Sequence, residues 1–204
     1  MSDLTFYYDF SSPFAYLAAT QVERVAREVG ARVRWRPILV GALFKEIGTP
    51  MVPLAEFNPA KRAYIGRDLA HWAAYWNVQF RWPSRFPMRT VSALRLALAV
   101  EAEGGDIAGL SRVLFRAYWV DDRDISDPKV LGEYGDLKAL DSTAIKDALR
   151  AATEEAIAAG VCGVPSFVAR GHLFWGQDRL DLVKRTLRGW DPPTGEPPSG
   201  DRDR

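Results

Sequence analysis

Twelve residues near the N-terminus, Phe6-Tyr7-Tyr8-Asp9-Phe10-Ser11-Ser12-Pro13-Phe14-Ala15-Tyr16-Leu17, set the terms for the rest of the chain. Leu4 to Phe10 is aromatic and apolar with little alternation, the pattern of a strand buried on both faces. From Phe14 the period changes. Leu17, Val22, Val25 and Val29 form a helical stripe that stops at Gly30. Ser12-Pro13 is the junction: a serine N-cap, then proline at the first helical position, where its missing N–H costs nothing. A strand therefore runs straight into a helix whose N-terminus carries a hydroxyl. Such a terminus offers unpaired N–H groups and partial positive charge to an anion such as a thiolate. Read alone, Ser12 is equally a helix cap.

Beyond Gly30, Arg32 to Val40 alternates as a strand, with Pro37 at an edge or end. This completes a strand–helix–strand unit. The pattern then turns almost wholly helical. Short helices are expected from Gly41 to Gly48 and after Asp127-Pro128. Longer ones run from Pro59 to Trp76 (Leu69, Trp72 and Trp76 inward), from Arg89 to Glu103, through Leu110 to Tyr118, and from the Ser142 cap to Gly160. Thr49 to Pro53 and Trp82 to Pro87 read as loops. Strand character returns at Val164 to Ala169, turns at Arg170-Gly171-His172, and comes back through Leu173-Phe174-Trp175. Gly176-Gln177-Asp178 opens a last helix, Arg179 to Leu187. The tail, residues 191–204, is rich in proline, glycine and charge and is expected to be disordered. Roughly 120 residues between the two strand-bearing ends are too many for a connection.

Composition narrows the function. A chain of 204 residues suffices for one well-buried domain or a domain with a large insertion. A formal charge of +1, with Lys and Arg scattered, lacks the basic stripe of a nucleic-acid binder. No apolar run approaches the ~20 residues of a membrane-spanning helix. Met1-Ser2-Asp3-Leu4 has no basic leader, so a cytoplasmic location is expected. Cys162 is the single cysteine, which rules out an intramolecular disulfide and argues against a cysteine metal site. It is expected to be buried filler. His71 and His172 have no motif around them, and no metal is expected.

Ser12-Pro13-Phe14-Ala15 occupies the slot where thioredoxin-like redox proteins carry Cys-x-x-Cys, with hydroxyl and methyl in place of two thiols. With Asp9, it resembles the Asp-x-x-Ser-Pro-aromatic start of the kappa-class glutathione transferases and of the bacterial 2-hydroxychromene-2-carboxylate isomerases. The resemblance extends over nearly the whole chain. It implies an α/β, thioredoxin-like fold with a large inserted all-helical domain. Residues 1–40 and 161–190 would form the thioredoxin-like part and 41–160 the insertion.

The resemblance also assigns residues. Ser12 would be the active serine, and the cofactor glutathione. Pro165, in Gly163-Val164-Pro165, would follow a cis bond, leaving the Val164 N–H and C=O unpaired for the cysteinyl backbone. Gln177 and Asp178 would meet the γ-glutamyl end, with Gln177 departing from the commoner residue. Lys61, which shares a helix face with Tyr64 and Asp68, would meet the glycyl carboxylate. Thr49 stands where relatives have asparagine. Pro13 would flank the sulfur, whereas Ser11 would end the strand and face away from it. The implied substrate is a small aromatic enone acid such as 2-hydroxychromene-2-carboxylate, walled by Phe44, Phe57, Trp72, Trp76 and Phe86, and the implied assembly a homodimer. Two alternatives stay open: a kappa-like transferase or peroxidase, and a non-catalytic thioredoxin-like binding module.

Overall fold

The computed structural model describes residues 3–193. Its centre is β1 (Asp3–Tyr8), which pairs in parallel with β2 (Arg32–Pro37) and antiparallel with β3 (Ser166–Ala169). β4 (His172–Trp175) closes a mixed sheet in the order β2-β1-β3-β4, so the two ends of the chain share one sheet. Arg170 and Gly171 both have positive φ (49° and 84°), the two-residue hairpin geometry that matches strand twist.

α1 (Pro13–Arg27) connects β1 to β2. Between β2 and β3 come α2 (Val40–Ile47), α3 (Pro53–Glu56), α4 (Pro59–Tyr75), α5 (Val91–Ala102), α6 (Ile107–Trp119), α7 (Pro128–Leu131) and α8 (Thr143–Ala158). A 3-10 turn, Gln177–Arg179, then leads into α9 (Leu180–Leu187). The fold is thus α/β, thioredoxin-like, with a long helical insertion. Among the described residues, no helix is long and apolar enough to cross a membrane.

β1 is buried on both faces, as its unbroken apolar run requires. On one face Phe6 stacks on Tyr8 and Phe167, each with centroids 5.3 Å away, while Trp35 meets it edge-on at 5.0 Å. The helical segment is bonded into this face: Ser111 of α6 shares a 2.6 Å hydrogen bond with the Tyr8 hydroxyl, and the Trp119 indole donates to Phe10 O at 2.9 Å. On the other face Tyr7 packs with Ile38, Leu43, Ala152 and Ala156, which brings α2 and α8 against the sheet.

Several boundaries differ from the sequence reading. β1 stops at Tyr8 because Asp9 turns the chain, with its carbonyl accepting from Ser12 N at 3.1 Å, although Phe10 stays fully buried against Phe115. β2 stops at Pro37, and Val40 begins a helix. β3 starts only at Ser166, since Pro165 has no N–H for a ladder. Pro53–Glu56 forms one helical turn within a stretch read as loop-like. Asp191, assigned to the disordered tail, holds His172 Nε2 at 2.7 Å; the remainder of that expectation, residues 194–204, lies outside the described residues.

Phe6→Ala removes a fully buried ring with three aromatic neighbours. It should cost ~3–5 kcal/mol in urea unfolding. A loss below about 1 kcal/mol would show that this cluster is not the centre of the core.

Candidate active site

Ser12 is the N-cap of α1, with φ −97° and ψ 119°, and its Oγ accepts from Ala15 N at 3.1 Å. The same hydroxyl donates to Val164 O at 3.1 Å, 152 residues away in sequence. The Val164–Pro165 bond is cis, as expected. The expectation that the Val164 carbonyl is unpaired is corrected by this contact: Ser12 occupies it. Among the described residues, the Val164 N–H has no acceptor. Pro165 O accepts from Gly176 N at 3.0 Å, which fixes the turn leading to Gln177 and Asp178.

No thiol stands at either end of Ser12-Pro13-Phe14-Ala15. Ala15 is fully buried at the position of a resolving cysteine. Cys162 is exposed and not filler, a second correction, and partial desolvation holds its thiol above the ordinary range.

Beside Ser12 opens a chamber of about 210 Å³, lined by Ser12, Pro13 and Phe14 at the start of α1, by Val40 and Phe44 of α2, and by Val164. Phe57, Ile65, Trp82, Phe86 and Trp175 also line it, together with Met51 and Leu54. Phe44, Phe57 and Phe86 thus stand where the sequence reading put them, but Trp72 and Trp76 do not. Those two side chains line a separate groove with Gln177 and Asp178. They pack on each other at 4.7 Å, on the same helical stripe as Ile65 but about two and three turns further along α4, which carries them past the chamber. Ser11, expected to face away, also lines the chamber.

The remaining candidate residues surround these two openings. Lys61 is exposed, and its Nζ stands 3.8 Å from the Phe57 ring centroid, so it borders the chamber without lining it. Gln177 is buried and Asp178 exposed, paired with Arg179 at 3.3 Å. Thr49 follows Gly48 at the end of α2, with its N–H on Phe44 O at 2.9 Å, and it lines neither opening. Among the described residues, no cluster of acidic, histidine or cysteine side chains is placed to hold a metal ion.

Residues 3–188 match the DSBA-like thioredoxin domain. The chain belongs to that family. It is 28% identical to a 2-hydroxychromene-2-carboxylate isomerase of Sphingobium xenophagum over 200 residues, covering 90% of this chain and 97% of the relative. It is also 25% identical to human glutathione S-transferase kappa 1, over 89% of this chain and 88% of that protein. A solved 2-hydroxychromene-2-carboxylate isomerase superposes with a TM-score of 0.77 at 24% identity, covering 91% of this chain and 94% of that one. The cytosolic disulfide reductase DsbM of Pseudomonas aeruginosa, solved with GSH, shares the fold at a TM-score of 0.63 and 20% identity, covering 91% and 97%.

One residue of this DSBA-like chain organises the site without having been singled out as a site residue. Asp9 is 1% exposed and accepts four hydrogen bonds. Oδ1 receives Ser11 N at 3.0 Å, Ser11 Oγ at 3.0 Å and Thr90 Oγ1 at 2.7 Å; Oδ2 receives Val40 N at 3.0 Å. The available signal was an acid set in an otherwise apolar buried run, which demands partners. Burial pushes the Asp9 carboxyl above its ordinary value, and the four donors pull it back only in part.

A raised carboxyl pKa means that the native state binds a proton more tightly than the unfolded chain does. Wild type should therefore lose stability, relative to Asp9→Asn, as pH rises from about 3.8 through the raised value. Paired urea titrations across pH read this difference. A difference that is flat in pH refutes the raised value.

Proposed function

We propose that this chain is a glutathione-dependent enzyme that isomerises a conjugated aromatic carbonyl compound, with Ser12 as the group that stabilises the thiolate. The observation carrying this reading is a serine hydroxyl at the open N-terminus of α1, facing an apolar chamber, in a chain whose one cysteine lines no part of that chamber. When bound, glutathione supplies the thiolate that adds reversibly to a conjugated double bond, permits its rotation and leaves without net oxidation.

The donor set fits a peptide thiol. Val164 offers a carbonyl and an N–H beside β3, the arrangement that accepts an extended peptide as another strand. The Ser12 proton rests on that carbonyl. A peptide N–H arriving there would replace it, and the hydroxyl would then turn toward sulfur while Oγ keeps its bond from Ala15 N. The α1 terminus adds its positive dipole end. Pro13 and Pro165 would lie on the two backbones that border the peptide thiol. Lys61 would meet the glycyl carboxylate, and Asp178 with Gln177 the γ-glutamyl end in the separate groove they line. Thr49 is assigned to the same cofactor on resemblance alone.

Relatives named as isomerases support this reaction. Relatives named as kappa transferases favour a second reading, conjugation or peroxide reduction at the same site. A cytoplasmic homodimer completes the proposal.

Wild type should bind glutathione saturably in calorimetry, and Asp178→Ala and Lys61→Ala should each weaken it about tenfold or more. Two variants that titrate like wild type would place the site elsewhere.

Ser12→Ala should leave affinity nearly intact, raise the pKa of the bound thiol, and slow turnover at neutral pH about ten- to a hundredfold. That range corresponds to the ~1.5–3 kcal/mol of a hydrogen bond to a charged group. Higher pH should restore part of the rate, and Ser11→Ala should change little. Ultraviolet absorbance of the bound thiolate against pH is the readout. An unchanged curve in Ser12→Ala removes Ser12 from the mechanism.

A further inference from the structure

Four side chains in the chamber wall carry a polar hydrogen: Ser11, Ser12, Trp82 and Trp175. The two hydroxyls are committed. Ser11 Oγ donates to Asp9 Oδ1 at 3.0 Å, and Ser12 Oγ to Val164 O at 3.1 Å until, on the reading above, sulfur takes the place of that carbonyl. The two indoles are not. Trp35 and Trp119 give their N–H to Glu23 and to Phe10 O, whereas those of Trp82 and Trp175 have no acceptor among the described residues.

These two free donors are placed differently. Trp82 stands among other rings, edge-on to Phe86 at 5.3 Å and to Phe80 at 5.8 Å. Trp175 ends β4, and a Cβ at position 163 would lie 2.8 Å from its Nε1, 3.1 Å from Cε2 and 3.2 Å from Cζ2. The nitrogen side of this ring therefore rests against Gly163, which has no side chain to hold it off. Gly163 precedes Val164, whose carbonyl takes the Ser12 hydroxyl, so this donor stands beside the turn where a thiol would lie. Trp175 is 58% exposed, and water satisfies its N–H in the open chamber. A flat ligand would displace that water and become the acceptor itself.

The proposed reaction calls for such a group. As a thiolate adds to the far carbon of a conjugated carbonyl compound, an electron pair moves through the double bond onto the carbonyl oxygen. When the sulfur leaves, the pair returns, with no net oxidation. That oxygen is only a few bonds from the carbon attacked, and so close to Ser12. A donor already in place where charge will gather lowers the barrier.

We propose, resting on that reaction, that Trp175 is a catalytic residue: its indole N–H donates to the carbonyl oxygen of the substrate and stabilises the charge that develops there.

The compound 4-hydroxybenzylideneacetone reports such a donor without glutathione and without turnover. Ionising its phenol spreads negative charge through the conjugated chain onto the ketone oxygen, and its absorbance follows the ionisation. Bound at saturation to wild type, Trp175→Phe and Trp82→Phe, it is titrated against pH. Phenylalanine keeps a flat apolar wall and lacks the N–H. The α1 terminus is common to all three proteins, so its pull on the phenolate cancels in the comparison. The acidity constant of the bound phenol should fall about tenfold in Trp175→Phe, the weak end for a hydrogen bond to charge because the indole is half exposed, and change little in Trp82→Phe. The kcat of isomerisation should fall by a similar factor with KM held, while the thiol titration of bound glutathione stays as in wild type, unlike that of Ser12→Ala. A phenol that titrates alike in wild type and Trp175→Phe overturns the proposal, as does a larger change in Trp82→Phe or a probe that wild type does not bind. Failure to bind glutathione is a separate result: it removes the reaction, and with it the catalytic role, whatever the probe shows.

Discussion

The buried carboxyl of Asp9 is where three helices are made to begin together. Its oxygens take the backbone N–H of Val40, the first residue of α2, and the hydroxyl of Thr90, the N-cap of α5. They also take both donors of Ser11, one residue before the cap of α1. Neither α2 nor α5 has a side-chain cap of its own. Thr90 would ordinarily cap its own helix, but its hydroxyl is given to Asp9. Three positive helix ends thus converge on one acceptor, which offsets part of the cost of burying it. The arrangement also ties the wall that bears Val40 and Phe44 to the turn that bears Ser12. A shift in one must move the other.

The turn that bears Ser12 was legible because its signals are local. A change of hydrophobic period from Leu4–Phe10 to Leu17–Val29, a Ser-Pro start and a glycine stop are all read within a few residues of where they act. The Arg170-Gly171 hairpin and the Ser142 cap were legible for the same reason. Asp9 was not, because its partners Val40 and Thr90 lie 31 and 81 residues away, and spacing carries no trace of such contacts. The chamber wall failed in part for a related cause. Leu69, Trp72 and Trp76 share a helical stripe, and a stripe says only that a side chain is covered, not which of two openings it borders. The cis bond at Phe86–Pro87, beside Trp82 in the chamber wall, had no signal beyond a proline-rich loop.

Ser12 illustrates how little chemistry separates a cap from a catalytic group. Its hydroxyl already serves two masters, accepting from the helix and donating to the opposite strand. A cysteine there would lack the strong donor that reaches Val164, and Ala15 leaves no partner for a disulfide. This turn therefore holds a hydroxyl and a methyl, with no pair of thiols to form a disulfide, and on the proposed reading the thiol is that of glutathione.

Gly163 has a wider consequence. A side chain there would begin 2.8 Å from the Trp175 indole nitrogen, so the ring lies where position 163 would otherwise project. The two positions are therefore coupled: a side chain at 163 requires the Trp175 ring to move aside, and the ring forms part of the chamber wall. A change of backbone residue that never touches a ligand would in this way reshape the chamber.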